Sequence, residues 1–169
     1  MIEQITEREG RKLLPDLVEL LRDTVNNGAS VGFIPPLEVE TAQRYWLDTF
    51  QEVEKAERVL LVSHGDKRLT GSAQLALATK QNGLHRAEVQ KVIVHSDFRR
   101  RGIGCALMES LEMAARDLGR CLLVLDTEEG SAGEKLYTDC GYTRAGLIPK
   151  YALAANGEFI STVLFYKLI

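Results

Sequence analysis

Long apolar runs are missing from this chain of 169 residues. Nothing approaches the roughly 18 to 20 uninterrupted apolar residues of a membrane-spanning helix, and the opening MIEQITEREGRK lacks the apolar centre of a secretory leader. Cysteine is scarce. Cys105, Cys121 and Cys140 are odd in number and without close pairs, which excludes a disulfide framework or a zinc ribbon and predicts reduced core thiols. The three histidines, His64, His85 and His95, have neither metal-ligand spacing nor a nucleophile partner, so no metal and no histidine-based catalysis are expected. An excess of positive charge is also absent: the formal net charge of -3 gives no global reason to bind nucleic acid. With four prolines, no repeat and no Pro/Ser-rich linker, residues 1–169 are expected to form one cytoplasmic domain, a monomer or homodimer, with no membrane partner.

What is present is alternation between helical and strand periodicity. A short strand at Met1 to Ile5 precedes Thr6-x-x-Glu9, a capping-box pattern, and Leu13, Leu14, Leu17, Leu20, Leu21 and Val25 recur at helical spacing, with Pro15 in an early turn or kink. The permissive loop Gly28 to Phe33 leads to a second helix through Tyr45, Trp46 and Phe50, both aromatics of the pair Tyr45-Trp46 reading as packing residues. Strands are expected over Arg58 to His64, Leu69 to Thr79 and Ala87 to Val94, the first two joined by the turn Gly65-Asp66-Lys67-Arg68. A helix over Gly102 to Leu118, a buried strand over Cys121 to Asp126, a short helix opened by Ser131-x-x-Glu134, and strands over Tyr142 to Ile148 and Glu158 to Lys167 complete the chain. The order β-α-α-β-β-β-α-β-α-β-β defines an α/β fold with a mixed sheet.

The chemistry concentrates in Val92-Ile93-Val94-His95-Ser96-Asp97-Phe98-Arg99-Arg100-Arg101-Gly102-Ile103-Gly104, where a strand runs through a basic, glycine-containing turn straight into a helix. Free N–H groups and the positive dipole end at a helix start favour phosphate, and Gly102 and Gly104 allow close backbone approach. Arg99, Arg100 and Arg101 add charge, although in such a run only one or two side chains are expected to reach a ligand. The Gly-x-x-x-x-Gly-Lys-Ser/Thr of a P-loop and the Gly-x-Gly-x-x-Gly of a dinucleotide site are both absent here, which counts against a nucleoside triphosphatase and a dehydrogenase.

Arg99-x-x-Gly102-x-Gly104 after a strand resembles the Arg/Gln-x-x-Gly-x-Gly/Ala signature of the GNAT N-acetyltransferase superfamily, and the element order is similar across nearly the whole chain. The resemblance implies a GNAT fold with splayed central strands, acetyl-coenzyme A as cosubstrate, the pyrophosphate on Arg99 to Gly104 (Ile103 included), and pantetheine along Val92, Ile93 and Val94. Leu136-Tyr137-x-x-x-Gly141-Tyr142 looks like the family segment whose tyrosine stands near the coenzyme sulfur, which makes Tyr137 the candidate general acid; its alternative role is packing. Gly130 stands where many members carry an asparagine that binds the pantetheine arm. Ser131 beside it is the candidate substitute, with helix capping as its other role.

An acceptor amine with a pKa near 10 is only about 0.1% neutral at pH 7, so the site must take a proton from it. Glu88 and Asp126 place carboxylates on the two central strands and are the candidates to bind the amine and remove its proton, directly or through water. Their structural alternatives are a salt bridge to Lys91 and a solvent-facing strand end. Gly28-Ala29-Ser30-Val31-Gly32-Phe33, the segment around Arg86 to Lys91 and Leu125-Asp126-Thr127-Glu128 further resemble the tabtoxin-resistance acetyltransferases. That resemblance implies a small zwitterionic acceptor, a β-lactam toxin in that subgroup, covered by a loop that includes Ser30 and Phe33. A protein N-terminal or lysine acetyltransferase and a non-catalytic acyl-coenzyme A sensor are the competing readings.

Overall fold

The computed structural model describes residues 1–66 and 68–169. Seven strands form one sheet in the order β1-β2-β3-β4-β5-β7-β6, comprising β1 (Ile2–Gln4), β2 (Arg58–His64), β3 (Leu69–Leu77), β4 (Arg86–Val94), β5 (Leu122–Glu128), β6 (Thr143–Leu153) and β7 (Phe159–Leu168). Every pairing is antiparallel except β4 with β5. Of the predicted turn Gly65-Asp66-Lys67-Arg68, Lys67 lies outside the described residues; Gly65 N–H donates to the Arg68 carbonyl at 2.9 Å.

Three helices, not the two expected, precede β2. These are α1 (Glu7–Lys12), α2 (Leu14–Asn26) and α3 (Val39–Glu54). Thr6 and Glu9 form the expected capping box: Thr6 Oγ1 accepts from Glu9 N–H at 3.3 Å, and Glu9 Oε2 accepts from Thr6 N–H at 2.8 Å. Pro15 explains the extra break, because its missing N–H is tolerated only in a first turn, so α1 stops at Leu13 and a new helix begins. Leu17, Leu20, Leu21 and Val25 of α2 and Ala42, Trp46 and Phe50 of α3 are buried against Leu60, Val62 and Ile93 of the sheet. Trp46 is wholly buried and donates its Nε1–H to the Leu17 carbonyl at 2.8 Å, the packing role its position predicted.

The opposite face carries α4 (Ile103–Asp117) and α5 (Ala132–Asp139). Leu107, Met108, Leu111 and Ala115 pack there on Leu61, Leu75, Val89, Leu123 and Leu125. Each such side chain removed from water contributes about 1.5–3 kcal/mol, so these two layers hold the sheet rigid beneath whatever sits on it. The thiols depart from expectation: Cys105 and Cys121 are exposed and Cys140 is half-buried, so they are not core residues, although all three are free. Cys105 lies on the outward side of the first turn of α4, and Cys121 precedes β5. Strand β5 also runs on to Glu128, so Asp126 is an interior strand position opposite Leu164 of β7 rather than a strand end.

Candidate active site

The two central strands part company. β4 and β5 are in register only at Arg86–Leu122, Ala87–Leu123 and Glu88–Val124, after which β4 continues to Val94 and β5 to Glu128 without pairing. Beyond Glu88, the edge of β4 that faces β5 has no strand partner for its backbone groups, and such groups require one or must meet solvent or ligand. Val92, Ile93 and Val94 occupy this edge.

At the far end of β4 the chain enters the basic turn. Gly102, at φ 79°, caps α4 without any side-chain hydrogen bond, and the first helical bond closes from Ala106 N–H to Gly102 O at 3.0 Å. The N–H groups of Ile103, Gly104 and Cys105 therefore have no intrahelical acceptor, and open space surrounds Gly102. Gly104 has a second reason to be glycine: a Cβ there would lie 3.2 Å from Leu136 Cδ2, so α5 closes against α4 at this point. Arg99, Arg100 and Arg101 are all exposed; Arg99 Nε reaches the Val94 carbonyl at 3.3 Å and Arg101 the Asp97 carbonyl at 3.0 Å, while Arg100 at φ 60° points no bond into the turn. The turn is pinned to α2 by Asp23, whose carboxylate accepts from Ser96 N–H and Ser96 Oγ–H, both at 2.7 Å. Buried His95 completes the anchor: its Nδ1 accepts from Asp97 N–H at 3.2 Å, leaving Nε2 3.0 Å from Glu19 Oε1.

Tyr137, on α5, is buried to 8% exposure, with its ring 6.1 Å from that of Tyr142 and 6.2 Å from that of Phe165. Burial, then the nearby Asp126 carboxylate, push its phenol well above the ordinary tyrosine range, so the hydroxyl keeps its proton. Ser131 caps α5 by accepting from Glu134 N–H at 3.2 Å and lies 3.1 Å from Thr127 Oγ1.

Glu88 and Asp126 are exposed and both project from the α3 side of the sheet. Thr162 Oγ1 lies 2.8 Å from Asp126 Oδ2. Glu88 Oε1 accepts from Gln90 Nε2 at 2.9 Å, Gln90 Oε1 accepts from Arg58 at 2.8 Å, and Arg58 also reaches Gln74 Oε1 at 2.7 Å and Glu52 at 2.6 Å. This chain fixes Glu88 and shows that its partner is Gln90, not the Lys91 weighed as its structural alternative. Asp126 lies two residues beyond Val124, the last β5 position paired with β4, and so stands beside the gap, where its charge helps to raise the Tyr137 phenol.

Two residues of this face escaped the sequence reading. Tyr45, taken as packing, donates its hydroxyl to Gln74 Oε1 at 3.0 Å and meets Phe33 edge-on at 5.4 Å. Lys91 sits over the Tyr45 ring, its ammonium 5.5 Å from the centroid. A bulge brings it there, because Ser72 pairs with Ile93 and Gln74 with Gln90, so two β4 residues oppose the single Ala73. Lys91 at φ 48° is the strained member. A positive φ at a lysine leaves no mark in a sequence.

The loop between α2 and α3 roofs this region. Gly28, Ala29, Ser30, Phe33 and Pro35 face Glu128, Ile160 and the turn between β6 and β7 across an open cavity of about 240 Å³, which is lined by none of Glu88, Lys91, Asp126 or Tyr137. A larger cavity of about 540 Å³ between the β1–α1 junction and the end of α3 likewise includes none of Glu88, Asp126 or Tyr137, and lies away from the parted strands.

Comparison with known proteins agrees with this geometry. The family model described as an acetyltransferase (GNAT) domain matches residues 55–144. An uncharacterized N-acetyltransferase from the hisH-hisA intergenic region of Azospirillum brasilense is 31% identical over 118 residues, covering 69% of this chain and 68% of that protein. An L-methionine sulfoximine/L-methionine sulfone acetyltransferase of Pseudomonas aeruginosa is 25% identical over 81% of this chain and 78% of its own length. Among solved structures, yncA from Salmonella typhimurium, which holds its cofactor acetyl-CoA, superposes with a TM-score of 0.78 at 18% identity over 99% of this chain and 92% of that one.

Proposed function

Because this chain belongs to the GNAT acetyltransferase family and is an N-acetyltransferase, we propose that it moves the acetyl group of acetyl-coenzyme A to the primary amine of a small amino-acid-like molecule. The observation that carries the proposal is the parting of β4 and β5 beside the exposed carboxylates Glu88 and Asp126, together with a cavity of only about 240 Å³ under the Gly28 to Pro35 loop, next to Glu128 at the end of β5. Drug-sized ligands occupy about 300–1,000 Å³, so this space suits a small acceptor better than a peptide segment or an aminoglycoside. The resemblance to a methionine sulfoximine and sulfone acetyltransferase points the same way.

The residues fit the cosubstrate. The uncapped first turn of α4, with Gly102, Ile103 and Gly104 and the flanking Arg99, Arg100 and Arg101, holds the pyrophosphate, and the unpaired edge at Val92, Ile93 and Val94 offers backbone groups to pantetheine, with Ser131 at the far side. Acetyl-coenzyme A supplies an acetyl group activated as a thioester. Glu88 and Asp126 receive the acceptor as its ammonium ion and take a proton, directly or through water, so that the amine lone pair is free. Ser30 and Phe33 cover the acceptor and exclude bulk solvent. Tyr137 Oη, protonated because it is buried, donates to the departing thiolate.

Release of free thiol from acetyl-coenzyme A, measured across amino acids, methionine sulfone, β-lactam amino acids, polyamines, aminoglycosides and peptides, tests this reading. Turnover confined to small amino-acid-like amines is expected. Turnover on peptides alone would reassign the enzyme to protein acetylation.

A further inference from the structure

We propose that Lys91 binds the carboxylate of the acceptor, making the substrate an α-amino acid rather than a simple amine. The inference rests on the amino-acid reading above and deepens it. Three observations converge on this side chain.

First, the Lys91 ammonium is half-buried yet makes no hydrogen bond or ion pair of 4.0 Å or less with any described residue, whereas its neighbours are all engaged with one another: Arg58 with Glu52, Gln74 and Gln90, and Gln90 with Glu88. Burying a charge is costly without a partner, and an aromatic ring at 5.5 Å is a weak one, so the position favours an anion from outside the chain. Second, the group is aimed at the acceptor cover. A Cβ on Gly32 would lie 3.6 Å from Lys91 Nζ, and Phe33 of the same loop, which lines the cavity, meets the Tyr45 ring edge-on. Third, the charges are complementary to a zwitterion. Glu88, Lys91 and Asp126 all lie on the α3 side of the sheet beside the gap between β4 and β5, and two carboxylates with one ammonium complement the α-ammonium and α-carboxylate of an amino acid.

The bulge gives the arrangement a purpose. In an unbroken strand, Gln90 and Lys91 would face opposite sides of the sheet; with the extra residue, Gln90 steadies Glu88 while Lys91 lies on the same α3 side above Tyr45. The left-handed backbone at Lys91 is strain kept where a functional side chain must be re-aimed.

The test compares L-amino acids, L-methionine sulfone among them, with their carboxamides, in the wild type and in Lys91→Met, Lys91→Gln and Lys91→Arg. Wild type should prefer acid to amide in kcat/KM by about 10- to 100-fold, the scale of one charge-assisted contact. Lys91→Met and Lys91→Gln should each erase that preference through acceptor KM, leaving acetyl-coenzyme A KM within about twofold, and Lys91→Arg should restore most of it. Making both neutral variants guards against loss of fold in one. A wild-type preference that survives intact in the neutral variants would overturn the assignment to Lys91 while leaving the amino-acid reading in place. A wild type that acetylates only amines without a carboxylate would overturn both.

Discussion

Tyr137→Phe separates catalysis from packing at this site. The ring contacts with Tyr142 and Phe165 survive the change, since phenylalanine fills the same volume. Only the hydroxyl is lost. Burial and the Asp126 charge set its acidity with no hydrogen bond contributing, so the variant forfeits no bonded partner and leaves no acceptor unsatisfied. Stability should therefore move by less than about 0.5 kcal/mol, or about 2 °C in Tm for a chain of this size. Removal of a positioned general acid should lower kcat by about 100-fold or more, with acetyl-coenzyme A affinity changed less than about twofold. The pH profile adds a second check. Because burial raises the phenol pKa, the acid form persists to higher pH than in free tyrosine, and wild-type kcat should show no alkaline limb from Tyr137 below about pH 10. Steady-state thiol release and thermal denaturation on the same preparations measure all three. An unchanged kcat, or equal losses of kcat, coenzyme affinity and several degrees of Tm, would refute the acid role and leave a packing residue.

Other consequences follow from named contacts. Lys167 Nζ lies 2.7 and 2.9 Å from the Glu112 carboxylate oxygens and donates to the Cys140 carbonyl at 2.8 Å, so Lys167→Met should destabilise by about 3 kcal/mol, with Arg116 only a partial substitute at 3.5 Å. Recovery of part of that loss in the double variant with Glu112→Gln, read by urea denaturation, distinguishes the uncompensated charge from lost packing. Gly10→Ala should cost about 1–2 kcal/mol although alanine favours helices by up to about 1 kcal/mol, because its Cβ would fall 2.5 Å from Phe50 Cε1 in a wholly buried ring; a rise in denaturation midpoint would show that the ring yields freely. Iodoacetamide at pH 8 should label Cys105 and Cys121 first. Burial and the adjacent Cys105 push the Cys140 thiol up to about 11, cutting its thiolate fraction about 100-fold below that of an ordinary cysteine, and peptide mapping that found Cys140 labelled as fast would contradict this.

Much of the fold was legible because local rules and tertiary packing agree. Leu17, Leu20, Leu21 and Val25 recur at helical spacing and are buried, and the strand read over Arg58 to His64 matches β2 at both ends. Pro15 marked a disturbance without saying whether it would kink one helix or divide two; with its missing N–H in a first turn, the chain breaks at Leu13 and a new helix begins at Leu14. The thiols were misjudged for a related reason. An apolar-looking segment does not say which side of its helix meets the core, and Cys105 falls on the outer side of α4.

The site divides along the same line. The basic turn is a continuous segment, so its expected chemistry can be read from spacing: a strand, a run of arginines, and Gly102 at φ 79° opening an uncapped helix. Tyr137 is equally local, one turn from the end of a short helix. The acceptor face is built otherwise. Glu88 is held by Gln90, Gln90 by Arg58 and Arg58 by Glu52, so one carboxylate depends on α3, β2, β3 and β4 together. Lys91 owes its place to a register shift opposite Ala73, and its neighbours Gly32 and Tyr45 lie nearly sixty and fifty residues away in the chain. The difference is physical. Under the proposed function, the coenzyme is held by backbone at a helix start, which a short motif encodes, whereas the acceptor is recognised by side chains gathered from separate elements. Altering Lys91 or the loop bearing Phe33 should then change which amine is accepted and leave the coenzyme turn intact, so the part of the sequence that names the reaction is also the part that says least about its substrate.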